Sequence, residues 1–251
     1  MKKDVKNYVS LIIPCYNEEK NLKILYKDFK KLSKKKNLNL ELILVDNGSK
    51  DKSFFFLNKF KNLKNRNFII KVLQIKKNKG YGNGIMKGVM GAKNEIIAWT
   101  HADLQTDIND IAKGIKLYKK LQHKHKKAKI LVKGKRYRRN FLDFIFTYFM
   151  TLYILILSGK YLDDINAQPK IFNRKLIKDL KNSPKDFLLD FYLLFKAKNN
   201  KYMIKDFGVL YKKRKHGIAK GGGSLIGKIN LSIKSIIYIL KFFYGNNNSQ
   251  S

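Results

Sequence analysis

Cysteine occurs once in this chain, at Cys15. No internal disulfide can form, a cysteine-based structural zinc site is excluded, and a reducing compartment is the matching expectation. Acidic residues are also scarce: 18 Asp and Glu stand against 55 Lys and Arg, for a formal net charge of +37. Such an excess draws a protein to anions, whether nucleic acid, phosphorylated substrates or an acidic membrane face. Only six of those cations are Arg, and the lysines are spread along the whole chain rather than gathered in one stripe. With no RNA-binding motif beside them, a nucleic-acid partner is not expected. Long uncharged runs are missing too. The longest, Phe144 to Gly159, has 16 residues, short of the roughly 20 that a spanning helix needs. Met1 to Ser10 is basic, but only Leu11-Ile12-Ile13 follows before Pro14, which is not the pattern of a secretory signal.

What is present is enough apolar material for a folded domain. Hydrophobic residues make up 44% of the 251 and aromatics 13%, which argues against global disorder and for one sizeable core. The first half alternates between two periodicities. Val9–Ile13, Glu41–Val45, Phe68–Ile75, Ile96–Trp99 and Ile130–Val132 read as strands. Glu18–Leu32, Asp51–Phe60, a stretch from the glycine turn to Ala92, and Asp107–Leu121 read as helices. This alternation predicts an α/β fold with a doubly wound, mostly parallel sheet. Further on, a basic knot Lys135–Arg139 precedes the aromatic run. Asp163 to Lys170 reads as loop, Phe187–Lys198 as helix and Tyr202–Tyr211 as a strand containing Gly208. Near the end Ile226, Ile229, Ile233, Ile236, Leu240 and Phe243 recur at helical spacing with Asn230, Lys234 and Lys241 opposite, an amphipathic helix.

Three strand ends carry polar clusters. Pro14-Cys15-Tyr16-Asn17-Glu18 closes the first strand, Asp46-Asn47-Gly48-Ser49-Lys50-Asp51 the second, and Thr100-His101-Ala102-Asp103-Leu104-Gln105 the fourth. Open α/β sheets bind ligands at that edge. A hard carboxylate with an amide oxygen suits a divalent cation carrying a diphosphate. Each cluster alone could be a turn or a helix cap; three in register are not plausibly all of that kind. The glycine turn Gly80-Tyr81-Gly82-Asn83-Gly84 follows the third strand and lacks the order of a dinucleotide fingerprint. It reads instead as a place where backbone approaches the donor or packs closely.

Taken in order and spacing, the three clusters resemble those of the family 2 glycosyltransferases, within them the dolichyl- and polyprenyl-phosphate sugar synthase branch. The resemblance covers about residues 8 to 220 and is most specific in its first half. It implies a GT-A, Rossmann-like fold, a nucleotide-diphospho-sugar donor, a divalent metal (Mn²⁺ or Mg²⁺) and transfer with inversion. Carried over by position, Pro14, Tyr16, Glu18 and Asp46 would hold the nucleoside. Asp103 would serve donor and metal, with Gln105 assisting. Arg136, Arg214 and Lys220 match the basic residues that face phosphates. Three positions depart from the family pattern. His101 stands for the first metal-site Asp, and it could ligate Mn²⁺ or only hydrogen-bond. Ala219 stands for a usual Ser, and Asn47 for the second Asp of a pair.

These readings divide the chain into a catalytic domain, residues 1–220, with a nucleotide-binding half, 8–134, and an acceptor half, 135–220. Residues 221–251 form an amphipathic helix and a disordered tail. Segment Gly217–Gly223 could close over bound donor. A lipid-phosphate acceptor needs no general base; a hydroxyl acceptor would need one, and Asp190, then Asp164, are the candidates. The apolar run and the terminal helix point to an anionic membrane surface, with room for a membrane partner subunit, and to a cytoplasmic, peripheral location at the inner face of the cell membrane. The competing readings are a nucleic-acid-binding module, a sugar nucleotidyltransferase, whose glycine-rich signature should sit where this chain has Pro-Cys-Tyr-Asn-Glu, and an inactive scaffold suggested by His101.

Overall fold

The computed structural model describes residues 8–35, 38–64, 67–217 and 224–244. In chain order come β1 (Val9–Cys15), α1 (Glu19–Leu32), β2 (Leu40–Asp46), α2 (Ser53–Lys59), β3 (Phe68–Gln74), α3 (Tyr81–Gly91), β4 (Ile96–Trp99) and α4 (Asn109–Lys124). The second half contributes β5 (Ile130–Tyr137), α5 (Phe141–Ser158), β6 (Lys170–Asn173), α6 (Leu189–Asn199), β7 (Met203–Leu210) and α7 (Leu225–Tyr244). Seven strands form one sheet in the order β3-β2-β1-β4-β6-β5-β7. All neighbours are parallel except β6, which runs antiparallel to both β4 and β5.

The strands are apolar on both sides because helices cover both faces. On one face Leu11, Ile13, Leu42 and Leu44 meet Leu22, Leu25 and Phe29 of α1 and Ile111 and Ile115 of α4. On the other, Ile12, Ile43 and Val45 meet Ile85 and Val89 of α3 and Leu189 and Leu193 of α6. Each such side chain, fully removed from water, contributes about 1.5–3 kcal/mol. The register places Cys15 opposite Asp46 and Ile12 opposite Trp99. The ends of β1, β2 and β4 therefore open at one edge.

The parallel α/β expectation holds, with two local differences. The fifth strand continues past Val132 to Tyr137, so the basic knot begins inside the sheet. Gly134 makes room there, since a Cβ would collide with the Gln168 carbonyl. The four residues of β6 fall in a region with no strand expected; they are too few to show alternation, and they start at a lysine.

Helix α7 packs through Ser235 and Ile239, which are buried, and through Phe242, whose ring meets Phe191 and Phe195 at 6.0 and 5.2 Å. Tyr153 of α5 donates to the Ile236 carbonyl at 3.2 Å, and Lys228 pairs with Asp143 at 2.6 Å. Much of the apolar stripe seen in the sequence therefore faces outward. Ile226, Ile229, Ile233, Ile237 and Leu240 form an exposed row, beside exposed Phe144, Phe149 and Ile156 of α5. By length and composition alone α5, 18 residues of mean hydropathy 1.9, could cross a membrane, and only 11% of it is buried.

Candidate active site

The first two strand ends are laced into one unit. Asn17 adopts a left-handed φ of 54°. Its N–H donates to Ser49 Oγ at 3.0 Å, and its side-chain oxygen accepts from the Lys50 N–H at 2.8 Å. The N–H groups of Glu18 and Glu19 donate to Ser53 Oγ and Asp51 Oδ2. Asp46 is fully buried, accepting from the Ser49 N–H at 3.1 Å and from Gln74 Nε2 at 3.2 Å. Pro14 is partly buried beside the glycine turn, and Tyr16 is half-buried on the loop from β1 to α1. Asn47 donates to the Gly80 carbonyl at 2.9 Å, joining the glycine turn to the same edge. Gly82 is required in that turn, because a Cβ would stand 2.5 Å from the Pro184 carbonyl.

The third cluster reaches the first through Arg214. Its Nη2 lies 3.1 Å from Asp103 Oδ2 and its Nη1 3.6 Å from Glu18 Oε1. Asp103 also accepts the Gln105 N–H at 3.1 Å. Burial alone would raise the Asp103 carboxyl, but the His101 imidazole, the Gln105 N–H and Arg214 outweigh it and hold it at about 2. Glu18 moves the other way: burial lifts it, and Asn21 and Arg214 offset only part. The Gln105 side chain is turned to the Lys212 carbonyl, 3.3 Å away, and so braces the segment that carries Arg214. His101 Nδ1 is 3.6 Å from Asp103 Oδ2, beyond hydrogen-bond length. Its Nε2 has no hydrogen-bond partner among the described residues.

The two carboxylates considered as proton acceptors are both committed. Asp164 receives the Arg136 N–H at 2.7 Å and Arg136 Nε at 2.8 Å, and Arg139 Nη1 lies 3.4 Å away. Burial would raise its carboxyl, but Arg136 and Arg139 together lower it. Asp190, in the first turn of α6, accepts from Trp99 Nε1 at 3.1 Å, Gln168 Nε2 at 2.9 Å and Lys170 Nζ at 3.0 Å. Sequence reasoning missed Lys170, Gln168, Tyr81 and Trp99. Nothing in Gln-Pro-Lys marks a lysine that is fully buried. Its ammonium is pushed down to about 8 by burial, against the pull of Asp190. Lys220, Ala219 and most of the Gly217–Gly223 segment lie outside the described residues, as does the tail from Gly245.

Next to Arg136 a groove of about 650 Å³ runs along α5. Its basic end holds Arg138 and Arg139, and its apolar wall holds Phe144, Tyr148, Leu152 and Tyr161.

The site fits a metal that arrives with a diphosphate better than a resident one. Among the described residues no group of three or more His, Cys, Asp or Glu is placed to hold an ion. Asp103 offers an ionised carboxylate with His101 Nδ1 3.6 Å from it, and diphosphate oxygens would have to complete the set.

The family model described as "Glycosyl transferase family 2" matches residues 10–181. A dodecaprenyl-phosphate galacturonate synthase of Rhizobium johnstonii is 23% identical over 237 residues, 93% of this chain and 68% of that one. A dolichyl-phosphate beta-glucosyltransferase of Dictyostelium discoideum is 27% identical over 183 residues, 67% of this chain and 54% of its own length. The chain thus spans only about half of that second relative. Among solved structures, glucosyl-3-phosphoglycerate synthase of Mycobacterium tuberculosis, crystallised with Mn²⁺, UDP and glucosyl-3-phosphoglycerate, superposes with a TM-score of 0.72. It is 13% identical, and the match covers 97% of this chain and 82% of that one. At that identity the likeness speaks for the GT-A fold.

Proposed function

The chain belongs to glycosyl transferase family 2, and from that premise we propose that it moves a sugar, with inversion, from a nucleotide-diphospho-sugar to a polyprenyl phosphate in the synthesis of a cell-envelope polysaccharide or glycoconjugate. One observation carries the donor half of this reading: Arg214 bridges Glu18 and Asp103 at the edge where all three strand-end clusters meet. In this reading Pro14, Tyr16, Glu18 and Asp46 hold the nucleoside. Asp103 and His101 face the diphosphate and its metal, with Gln105 assisting through the N–H it gives Asp103 and its brace on the Arg214 segment. Residues 8–134 serve the donor and 135–220 the acceptor, with Lys220 among the phosphate-facing cations.

The chemical problem is departure of a nucleoside diphosphate from the anomeric carbon, with negative charge growing on the leaving group. A divalent metal, Mn²⁺ or Mg²⁺, would neutralise part of that charge when bound. Arg214 is already at the position where a second cation is useful, and preorganised charge of this kind is the usual largest contribution to catalysis. The acceptor reading rests on the groove along α5. Its basic end suits a phosphate, and its aromatic wall suits an isoprenoid chain. A phosphate monoester is already an anionic nucleophile, so no base is needed. That agrees with the engagement of Asp164 and Asp190 by cations. The nucleic-acid and scaffold alternatives are not favoured by the family match.

The test is a panel of nucleotide sugars measured by thermal unfolding with Mn²⁺. A true donor at about 100 times its Kd should raise the midpoint by roughly 5–10 °C. Radiolabelled sugar should then appear on a short polyprenyl phosphate. No shift with any UDP- or GDP-sugar would sink the donor reading. Appearance of label only on a hydroxyl acceptor would sink the acceptor reading.

We also place the protein peripherally on the inner face of the cell membrane, on the outward apolar rows of α5 and α7 in a strongly cationic chain. Phe149→Glu with Ile156→Glu should weaken co-sedimentation with vesicles of mixed neutral and anionic phospholipid by at least tenfold or so, given about 1.5–3 kcal/mol per large side chain. Donor-induced stabilisation should not change. Equal sedimentation of variant and wild type would remove these rows from the membrane contact.

A further inference from the structure

His101 presents a puzzle of orientation. Its ring is neither hydrogen-bonded to Asp103 nor engaged at Nε2 among the described residues, yet it stands in the cluster that meets the diphosphate. What touches it is Tyr81, the first residue of α3, whose ring meets it edge-on with centroids 5.0 Å apart and an interplanar angle of 86°. Tyr81 is held in turn by its hydroxyl, which lies 3.3 Å from Gln168 Nε2 and within reach of Asp190. Gln168 donates to Asp190 at 2.9 Å. Asp190 is anchored by Trp99 at the end of β4 and by Lys170 at the start of β6. Trp99 lies two residues before His101 in the chain, so the backbone and the side-chain route both lead from Asp190 to the same loop.

We propose that Asp190 is a positioning residue for the donor site, fixing the His101 ring through Gln168 and Tyr81 while the buried Lys170 holds the carboxylate in place. The proposal rests on the glycosyltransferase reading and gives Asp190 a role other than proton acceptor. It also accounts for the full burial of an ion pair on the α6 face of the sheet, which a hydrophobic pair of equal volume could replace if stability were its only use. A site carrying an imidazole in place of a carboxylate depends on ring angle, because a ring nitrogen offers one lone pair in one direction. Groups behind such ligands orient them.

Asp190→Ala would strand Lys170 as a lone buried cation, so the decisive variant is Tyr81→Phe, which keeps the ring against His101 and removes only the hydroxyl. The full chain, labelled at its four histidines, is observed by imidazole nitrogen–proton correlation without metal or donor, with His101→Gln giving the assignment. The expected result is a shift or broadening of the His101 signals alone, at an unchanged unfolding midpoint. In turnover, kcat should fall about 10- to 100-fold, the usual range for a residue behind a ligand, with donor KM within about twofold. Adding Asp190→Asn and Lys170→Met together to Tyr81→Phe should cost little more, since residues of one network are not additive. Unmoved His101 signals in Tyr81→Phe overturn the proposal whatever the kinetics. Moved signals with unchanged kcat overturn it as well. A wild type that uses no nucleotide sugar would refute the transferase reading, and the imidazole measurement would still decide the link from Tyr81 to His101.

Discussion

Asp103→Ala should abolish Mn²⁺-dependent stabilisation by every nucleotide sugar and lower turnover by about 10³-fold or more. Asp103 is the one carboxylate in the 100–105 loop, and His101 cannot supply the missing charge. The carboxylate is ionised throughout the neutral range, being held at about 2 despite its burial, so the loss should be the same from pH 6 to pH 8. Folding should suffer much less. The cation left behind is Arg214, whose side chain is 23% exposed and keeps Glu18 at 3.6 Å. Rehydration and that second partner limit the cost to about 1–2 kcal/mol. Arg214→Ala separates two uses of the same carboxylate. With the guanidinium gone, free Mn²⁺ should bind Asp103 more tightly in a paramagnetic-resonance titration, while transfer slows because the leaving diphosphate loses a cation. Nucleotide-sugar stabilisation surviving in Asp103→Ala would show that the diphosphate is held elsewhere.

The convergence of the three strand-end clusters was legible because they lie at the ends of buried, mostly parallel strands. An apolar run such as Leu11-Ile12-Ile13 can only be interior, and the polar residues after it must emerge at an edge. The register of Cys15 with Asp46 then comes from the parallel pairing. Residues 135–220 resisted for physical reasons. Strand β6 is four residues long and bounded by Pro169, too short for a period to show. The burial of Lys170 depends on Asp190, twenty residues away in sequence, and no local pattern announces a pair formed across a sheet. The outward face of α7 was hidden for another reason. Its helix is apolar on two sides, with Ser235, Ile239 and Phe242 turned inward and Ile226, Ile229 and Ile233 outward. A periodicity count finds a stripe but does not say which of two stripes meets the protein. His101 stands out in the sequence as a departure from the family pattern, whereas nothing in the glycine turn around Tyr81 marks it as the side chain against that ring.

Asp164→Ala should destabilise the fold by about 3–5 kcal/mol, the range for breaking a buried ion pair by removing one partner. The corresponding fall in unfolding midpoint is roughly 6–20 °C. The size reflects the groups left behind. Arg136 and Arg139 have side chains only 15% and 9% exposed, and Asp164, 1% exposed, is the carboxylate they share. The Tyr211 face, 5.0 Å from the Arg136 guanidinium, offsets a small part. The pH dependence has a fixed sign. The folded carboxyl is lowered, so its stabilisation is complete above the unfolded value of about 3.9 and is lost as pH falls through the lower folded value. Wild type and variant should therefore differ most at neutral pH and converge in strong acid. The same lowered carboxyl makes Asp164 a weak base, since a good proton acceptor has a pKa near the working pH. If Asp164 were instead the base for a hydroxyl acceptor, Asp164→Asn would lose kcat with every acceptor at an unchanged acceptor KM. If it orders the arginines for a lipid phosphate, Asp164→Asn should lose stability and raise the acceptor KM together, because both effects come from releasing Arg136 and Arg139 from one carboxylate.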